Sequence, residues 1–252
     1  NVSLCVNRGE ILSILGENGS GKTTLMNMIS GIYFPDEGQI FIDGKEAIIA
    51  SPKDAFDYKI GMIHQHFKLV DVFSATENIV LGFEEEGGYN IRRSAERILA
   101  ISEQYGFHLD PMKKVYEMSV SEKQMVEIIK VLYRGADILI LDEPTAVLTP
   151  QETERLFKIL RRMREQGCAI IIITHKLNEV LSISDRVTIL RKGKSIETVE
   201  TAGCDEKKLT ELMVGRPISL NIERPEMEKR ETILKIVDLT VDKSCLLYTS
   251  PS

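Results

Sequence analysis

The chain has 252 residues, of which 43% are hydrophobic and 28% charged, and its formal net charge is -6. These values are typical of a globular protein with one large α/β domain, or one domain and part of another, and they exclude a disordered or fibrous chain. The acidic excess argues against a broad nucleic-acid-binding surface, and no apolar run approaches the roughly 18 residues of a membrane-spanning helix. The four cysteines lack C-x-x-C spacing, which argues against a disulfide framework or a zinc site and favours a reducing, cytosolic setting.

Taken in chain order, short apolar runs alternate with stretches of helical spacing, a pattern typical of a sheet covered by helices. Residues 2–6 alternate, which predicts a strand already under way at the first residue, and Gly9 turns it into a second strand at residues 11–15. Further strands are predicted at residues 39–43, 60–65, 138–141 and 168–173, and a hairpin at 186–199 turns at Lys192-Gly193. The last two single strands are continuous apolar runs, as expected where helices cover both faces of a sheet.

Two helical segments stand out in this pattern. Helical spacing dominates from about residue 82 to residue 134, which predicts a helical insertion. The apolar face predicted within this segment consists of Ile91, Ala95, Ile98, Leu99 and Tyr105. A later helix is predicted to begin at Pro150, because Thr149 is suited to the N-cap and Glu152 completes a capping box.

The predicted domain limits come from the last part of the chain and from its ends. Residues 1–214 form a first domain, residues 215–231 hold two prolines and many charges typical of a linker, and residues 232–244 begin a second domain with a new alternating strand. Residues 245–252 resemble the translation of a transposase adaptor used in DNA library preparation, with a genuine polar tail as the alternative. The absence of an initiator Met predicts that sequence upstream of residue 1 is missing.

The strongest chemical signal is a glycine-rich loop between a predicted strand and a predicted helix. Residues 16–23 match the G-x-x-x-x-G-K-[ST] pattern of a phosphate-binding loop, or P-loop. Its glycines allow backbone N–H groups to surround phosphate oxygens, Lys22 reaches the β and γ phosphates, and Thr23 binds Mg²⁺. The alternative is a glycine turn with a solvated lysine. We therefore predict ATP and Mg²⁺ as ligands, with nucleotide contacts from Gly16, Asn18, Gly19, Ser20, Gly21, Lys22, Thr23 and Thr24.

Acidic and polar residues follow three other predicted strands. Asp142 and Glu143 end an apolar strand, where Asp142 is placed to bind magnesium and Glu143 to polarise the attacking water. His175 follows the next apolar strand, at a position where an imidazole reaches the γ-phosphate. Gln65 ends an earlier predicted strand. Taken alone, His175 indicates only a structural histidine and Gln65 a surface amide, so both predictions depend on the P-loop and the acidic pair.

At these residues the chain resembles the ATP-binding subunits of ABC transporters, over residues 1–244. Residues 142–146 match that family's Walker B segment, Gln65 its Q-loop and His175 its switch histidine, and residues 119–124 occupy the place of its signature motif. The resemblance implies a P-loop NTPase core of ABC type with an antiparallel β subdomain and a helical insertion. It also implies catalytic roles for Glu143, His175 and Gln65, metal binding by Thr23, Gln65 and Asp142, and a nucleotide contact from Ser119.

Several features are similar to one branch of this family, the tandem ATPases of sugar and nucleoside importers. These features are the sequence 213–217 at the start of the linker, Thr149 where most ABC domains carry Asp, and the new domain from Thr232. Within that branch, residues 64–67 and 133–137 look more like nucleoside importers paired with basic-membrane-lipoprotein receptors than like ribose and galactose importers.

The resemblance implies an ATP-driven clamp that powers import of a nucleoside or sugar through an ABC permease. Two ATP molecules lie between two such domains, each bound by one domain's P-loop and capped by the other's signature helix. The expected partners are integral membrane permease subunits and a second ABC domain of the same full-length chain, with an extracytoplasmic solute-binding protein acting indirectly, and no nucleic acid. The expected location is the cytoplasmic face of the cell membrane, where the protein is peripheral.

Two other classes of function stay open at this point. One is a soluble ABC-type ATPase of translation or DNA repair, which would lack the sugar-type linker and would not associate with a membrane permease. The other is a binding-only module that signals without turnover, and the presence of both Glu143 and His175 argues against it.

The chain departs from the family pattern in two places. The aromatic residue that stacks on adenine in the family precedes its P-loop, and here that region lies before Asn1. The signature expected as Leu-Ser-Gly-Gly-Gln keeps only Ser119, because the other four positions hold Met118, Val120, Ser121 and Glu122. Ser119 and Glu122 are spaced for a capping box. We expect either that the Glu122 carboxylate repels the γ-phosphate of the second ATP, or that it points into solvent with Lys123 and has no effect.

Overall fold

The computed structural model describes residues 2–83, 88, 90–216, 235 and 237. The chain divides into two compact units, Asn1–Ile218 and Ser219–Ser252. Most of the linker predicted at residues 215–231 lies outside the described residues, and so do the second-domain start at 232–244, apart from residues 235 and 237, and the tail at 245–252. Over the described part of the chain, no helix is long and apolar enough to cross a membrane.

The strands of the described residues form two sheets. In chain order they are β1 (Ile11–Leu15), β2 (Ile40–Ile42), β3 (Lys45–Ala47), β4 (Ile60–Ile63), β5 (Ile138–Asp142), β6 (Ala169–Ile173), β7 (Arg186–Arg191) and β8 (Lys194–Glu200). The larger sheet has the order β4-β5-β6-β1-β7-β8. Its first five strands run parallel, and β8 pairs antiparallel with β7. β2 and β3 form a separate antiparallel hairpin. The parallel core and the small antiparallel sheet implied by the resemblance are therefore both present.

Helices connect these strands. In chain order they are α1 (Lys22–Ile29), α2 (Pro52–Asp57), α3 (Ala75–Val80), α4 (Ile91–Tyr105), α5 (Val120–Tyr133), α6 (Pro150–Glu165), α7 (Leu177–Ile183) and α8 (Glu206–Val214), with a 3-10 turn at Val115–Glu117. Complete capping boxes start three of them: Ser74 with Glu77 at α3, Ser119 with Glu122 at α5, and Thr149 with Glu152 at α6. The boxes of α5 and α6 confirm the sequence predictions.

The apolar strands of the larger sheet pack against helices on both faces. Successive side chains of a strand point to opposite faces, and in β5 Leu139 and Leu141 belong to one buried cluster whereas Ile140 belongs to another. Helices α3 to α6 supply the first cluster, and α1, α2 and β3 contribute to the second. Because β1, β5 and β6 are parallel neighbours, the loops that follow them lie side by side at one edge of the sheet.

The strand predicted at the start of the chain is not found. Residues 2–6 have no regular secondary structure. Their alternating apolar side chains nevertheless pack against the second cluster: Val2, Leu4 and Val6. Alternation decides which side chains face the core, whereas a strand also needs backbone hydrogen bonds to a neighbouring strand. The Ser3 N–H group donates instead to the Ser195 hydroxyl, at 3.1 Å. The strand prediction for this segment is therefore wrong.

The helical part of the chain differs from its prediction in two details. Its first helix, α3, begins at Ala75 rather than near residue 82, because the Ser74 capping box starts it. In α4 the predicted apolar face included Leu99, whose side chain is 43% exposed. Ile98 is buried as predicted, and the other buried positions are Ser94 and Ser102. Each of these serine hydroxyls donates to the carbonyl four residues earlier, so it can be buried without an unpaired polar group.

Candidate functional site

A cleft of about 550 Å³ opens at the edge of the sheet where β1, β5 and β6 end. Its lining comes from the loop after β1, the segment after β4, and the ends of β5 and β6. The lining residues are Asn18, Gly19, Gly21, Lys22, Thr23, Thr24, Gln65, Asp142, Glu143, Ile173 and His175. The structure therefore brings most of the predicted nucleotide, metal and catalytic residues together. Of the others, Gly16 and Ser20 are buried within the loop, and Ser119 lies outside the cleft.

The P-loop joins β1 to α1, and its backbone depends on glycine at particular positions. Gly19 and Gly21 have φ angles of 77° and 100°, in the left-handed region that side chains disfavour. A Cβ atom at Gly16 would lie only 2.2 Å from the carbonyl oxygen of Leu190. The turn between β7 and β8 also supports the loop, because the Gly193 N–H group donates to the Ser20 carbonyl at 3.0 Å. The loop is therefore held from outside the cleft.

Lys22 places a buried positive charge at the base of the cleft. Its Nζ atom donates to the carbonyl oxygens of Gly16, at 2.7 Å, and Glu17, at 3.0 Å. Burial lowers the pKa of Lys22, and the nearby carboxylates of Glu143 and Asp142 partly oppose that shift. The ammonium group is thus desolvated and has carbonyl rather than carboxylate partners, an arrangement that favours an incoming anion.

The N-terminus of α1 adds to this positive character. Its N-cap residue, Gly21, makes no side-chain hydrogen bond to the helix, and the first turn carries no acidic residue. The first N–H groups of the helix and the positive end of its dipole are consequently available to a phosphate.

Asp142 ends β5 and faces the P-loop. It is buried, and both this burial and the neighbouring Glu143 raise the pKa of its carboxyl group. Lys22 and a hydrogen bond from the Thr23 hydroxyl lower that pKa. Oxygen ligands of this kind are the ones that Mg²⁺ prefers, and a divalent cation here would offset the charge repulsion between the two carboxylates. Thr23 and Asp142 therefore fit a magnesium ion.

Glu143 and His175 are in direct contact across the loops that follow β5 and β6. The Glu143 Oε1 atom lies 2.9 Å from His175 Nδ1. Because a carboxylate only accepts, Nδ1 of His175 carries the proton, and Nε2 of a neutral ring is then an acceptor. The Glu143 backbone has a left-handed φ of 49°, and its N–H group donates to the Ile173 carbonyl at 2.9 Å. Among the described residues, the buried Glu143 Oε2 atom has no hydrogen-bond partner.

Gln65 enters the cleft from the segment that follows β4. It is exposed, and it lies two residues beyond the end of the strand, so the strand predicted to reach it ends earlier. Helix α5 holds this segment, because the Glu127 Oε1 atom accepts the Lys68 N–H group at 2.7 Å. The segment that carries Gln65 is thus in contact with the helical insertion.

Ser119 is the one predicted site residue that lies on a different surface. It caps α5 and lines a groove between α5 and α6. The Glu122 carboxylate accepts from the Ser119 N–H group at 2.7 Å and pairs with Lys113 at 2.7 Å. With that charge paired, the repulsion predicted between Glu122 and a second ATP is no longer expected. In the alternative, the orientation is wrong, because Glu122 pairs with Lys113 and Lys123 pairs with Asp71 at 3.3 Å. The lack of an effect on the second ATP stays a prediction.

Sequence reasoning missed a set of polar contacts next to the cleft. Thr145 follows the acidic pair, and its hydroxyl donates to Glu179 of α7 at 2.6 Å. Lys176, the residue after His175, pairs with the same carboxylate at 2.9 Å. Thr145 and Glu179 are 34 residues apart, so no local spacing indicates their contact, whereas Lys176 and Glu179 are only three residues apart.

Comparison with families of known proteins identifies the family. The model of the ABC transporter family matches residues 1–146, more than half of the chain. The chain belongs to this family. Family membership implies nucleotide binding, and the assignment of the cleft as the site of that binding stays a prediction.

Several curated proteins are similar to nearly the whole chain. The nucleoside import ATP-binding protein NupA of Lactococcus lactis subsp. cremoris is 47% identical over 245 residues. The guanosine import ATP-binding protein NupO of Bacillus subtilis is 46% identical, and the ribose import ATP-binding protein RbsA of Clostridium perfringens is 41% identical. These similarities cover 96%, 96% and 95% of this chain but 48%, 48% and 49% of those proteins. The chain therefore spans about half the length of the curated relatives it matches.

Solved structures show the same fold. The ADP conformation of MJ1267, an ATP-binding cassette of an ABC transporter, has a TM-score of 0.74 with 25% identity, covering 85% of this chain and 91% of that one. The dimeric post-hydrolysis state of the ATP-binding cassette MJ0796, bound to ADP and Pi, has a TM-score of 0.68 with 26% identity, covering 80% and 89%. The fold implied by the sequence resemblance is thus confirmed.

Proposed function

We propose that this chain is part of the ATP-binding and ATP-hydrolysing subunit that powers import of a small solute through an ABC permease. The observation that carries the proposal is the cleft itself, in which a buried lysine, an uncapped helix N-terminus and two carboxylates face one space. The solute we propose is a nucleoside, with a sugar as the alternative. The proteins named for nucleoside and guanosine import are 47% and 46% identical, against 41% for the ribose protein.

The proposed reaction is attack of water on the γ-phosphorus of ATP. A bond forms between the water oxygen and the γ-phosphorus, and the bond to the bridging β–γ oxygen breaks, so that ADP and phosphate leave. The unpartnered Oε2 atom of Glu143 is suited to orient that water and to accept its proton. Lys22 and the first N–H groups of α1 offset the negative charge of the phosphates.

His175 and Gln65 complete the proposed catalytic set. His175 holds Oε1 of Glu143, which leaves Oε2 for water. We propose that Gln65, which also lines the cleft, contacts the phosphate end of the nucleotide or the metal.

We propose Mg²⁺ as the metal that accompanies ATP. Thr23 and Asp142 would hold it, with Gln65 as a further oxygen ligand. When bound, Mg²⁺ neutralises phosphate charge and orients the β and γ phosphates.

The proposed partners are membrane permease subunits and a second ABC domain of the full-length protein, with a solute-binding protein acting indirectly. The proposed location is peripheral, at the cytoplasmic face of the membrane. The import function in the names of the relatives supports a permease, and the dimeric form of MJ0796 supports a paired domain. We propose no nucleic-acid partner.

The test of this function is Glu143→Gln in the protein joined to its second domain. The amide keeps the shape of the side chain but cannot accept the proton, so phosphate release should fall by on the order of 10² to 10³. Nucleotide binding, measured by equilibrium titration, should be retained. As a matched control, Glu154→Gln changes an exposed carboxylate that pairs only along α6 and should leave turnover unchanged.

Unchanged phosphate release by Glu143→Gln would contradict the assignment of the catalytic site. Capture of ribosomes or DNA-repair proteins by the full-length protein, with no membrane permease, would instead favour a soluble ABC ATPase.

A further inference from the structure

The two loops that carry Glu143 and His175 are joined by a second set of contacts, made by Thr145, Lys176 and Glu179. The Thr145 hydroxyl donates to Glu179 Oε2 at 2.6 Å. The Lys176 ammonium group pairs with Glu179 Oε1 at 2.9 Å and also donates to the Thr145 carbonyl at 3.0 Å. A carboxylate of α7 is therefore held by both loops at once.

These contacts are shielded from water except at Lys176, whose side chain is 38% exposed. Thr145 and Thr174 are fully buried, and the Glu179 side chain is 14% exposed. The Thr174 hydroxyl accepts the Lys176 N–H group at 3.1 Å, which fixes the start of α7 on the other side of His175. Hydrogen bonds to a charged and largely buried carboxylate are stronger than those between neutral groups. The contacts of Glu179 with Thr145 and Lys176 are accordingly suited to fix the relative positions of the two loops.

The positions of the three residues connect this set to the site. Thr145 is two residues after Glu143, and Lys176 is the residue after His175. The backbone of Glu143 has a left-handed φ of 49°, a conformation that persists only where surrounding contacts hold it. Thr145, Lys176 and Glu179 do not line the cleft. Any influence they have on nucleotide chemistry must pass through Glu143 and His175.

We propose that Glu179 is a positioning residue, which with Thr145 and Lys176 fixes the spacing of the two loops and so keeps His175 in contact with Glu143. This inference rests on the proposed function, because the consequence for turnover requires that Glu143 acts in ATP hydrolysis. The contact between His175 and Glu143 is, however, observable without any turnover.

The first measurement follows His175 by NMR in the 252-residue chain. The chain has four histidines, so the 15N signals of this imidazole can be assigned with a His175→Gln variant. We expect the Nδ1-protonated tautomer in the unaltered chain. In Thr145→Val and in Glu179→Ala, the signals should move toward the tautomer mixture of a free imidazole. An unchanged His175 spectrum in both variants overturns the proposal.

The second measurement is steady-state ATP hydrolysis by the protein joined to its second domain. Misplacing a catalytic group by a fraction of an ångström should lower kcat by about tenfold in each variant. The KM for ATP should change by less than about twofold, because the P-loop is untouched. Thr145→Ser should restore kcat, since it restores the hydroxyl. The double variant Thr145→Val with Glu179→Ala should be no slower than the slower single variant.

The positioning role is overturned if the losses of kcat in the two single variants multiply in the double variant. It is also overturned if kcat of Thr145→Ser is no higher than that of Thr145→Val. Glu154→Gln is the control, because it breaks an exposed ion pair with Lys158 on α6 and should change neither measurement. If the larger substitutions do not fold, Glu179→Gln and Thr145→Ser carry the test. Glutamine removes the ion pair and should shift the His175 signal, whereas serine should not, and any other result overturns the proposal.

The two measurements also separate this inference from the proposed function. If His175 responds as expected while the unaltered protein hydrolyses ATP no faster than Glu143→Gln, the positioning role stands and the hydrolytic function fails. If hydrolysis depends on Glu143 but His175 does not respond in the variants, the function stands and the positioning role fails.

Discussion

Whether a residue in or beside the cleft could be predicted from the sequence depends on how far away its partners lie along the chain. Lys22, Thr23 and the glycines belong to one short pattern whose chemistry requires that spacing, so the sequence alone predicted them. Asp142 and Glu143 were predicted because an acidic pair follows a buried strand. Thr145 and Glu179 were not predicted, because their contact spans 34 residues and depends on how β5 and α7 are placed. Sequence spacing predicts residues that act within one short segment. Contacts between two distant loops can be identified only once the fold is known.

Replacing Lys22 by alanine should weaken nucleotide binding in the 252-residue chain. The side chain contributes a charge-assisted contact to phosphate, worth about 1.5 to 3 kcal/mol, or roughly 10- to 150-fold in Kd. Titration with a fluorescent ATP analogue measures the effect. Lys53→Ala, which removes an exposed lysine of α2, serves as the control. An unaltered Kd for Lys22→Ala would exclude the P-loop as the phosphate site.

At the scale of elements, the predicted strands and helices agree with the structure where a segment's own sequence pattern determines its secondary structure. The continuous apolar runs became β5 and β6, and the Thr149 capping box began α6 at Pro150. The pattern failed where a second element decides the outcome. Residues 2–6 alternate correctly but lack a paired neighbour, and α4 buries serines because their hydroxyls bond within the helix. Hydrophobic periodicity indicates neither whether a strand has a paired neighbour nor whether a buried hydroxyl has a hydrogen-bond acceptor.

The capping box of α3 gives a prediction about pH. The Ser74 N–H group and Lys114 lower the pKa of Glu77 from 4.5 to about 2. Because the folded-state pKa is depressed, its stabilisation is complete above the unfolded value and is lost as pH falls through the folded value. Glu77→Gln keeps the cap shape without the charge. It should therefore lower the free energy of unfolding at pH 7 and flatten its decline between about pH 4.5 and about pH 2.

The expected loss at pH 7 is about 0.5 kcal/mol, since Glu77 and Lys114 are 36% and 40% exposed and solvent screens the pair. Urea denaturation at a series of pH values measures it. Glu96→Gln replaces an exposed carboxylate of α4 and should leave the profile unchanged. Parallel profiles for the unaltered chain and Glu77→Gln would contradict the depressed pKa.

At the scale of the whole molecule, the cleft and the signature lie on separate surfaces of the chain. Lys22, Asp142 and Glu143 share one lining, whereas Ser119 lines the groove between α5 and α6. A signature residue can therefore cap a nucleotide only when a second domain presents its own Ser119 equivalent to this cleft, as we propose. By the same geometry, we propose that Ser119 of this chain contacts the partner's nucleotide rather than its own. The 252-residue chain alone should accordingly hydrolyse ATP more slowly than the two-domain protein.

Ser119→Ala tests this arrangement. In the 252-residue chain it should leave the Kd for ATP unchanged, because Ser119 is outside the cleft. In the two-domain protein it should lower turnover by several-fold, through loss of a donor at the partner's phosphates. The substitution also removes an N-cap, which costs about 1 kcal/mol of stability whatever its role in catalysis. Ser74→Ala removes the equivalent cap of α3 and should cost the same stability without the loss of turnover. An equal fall in turnover from both substitutions would mean that helix stability, and not a contact with nucleotide, accounts for the effect of Ser119.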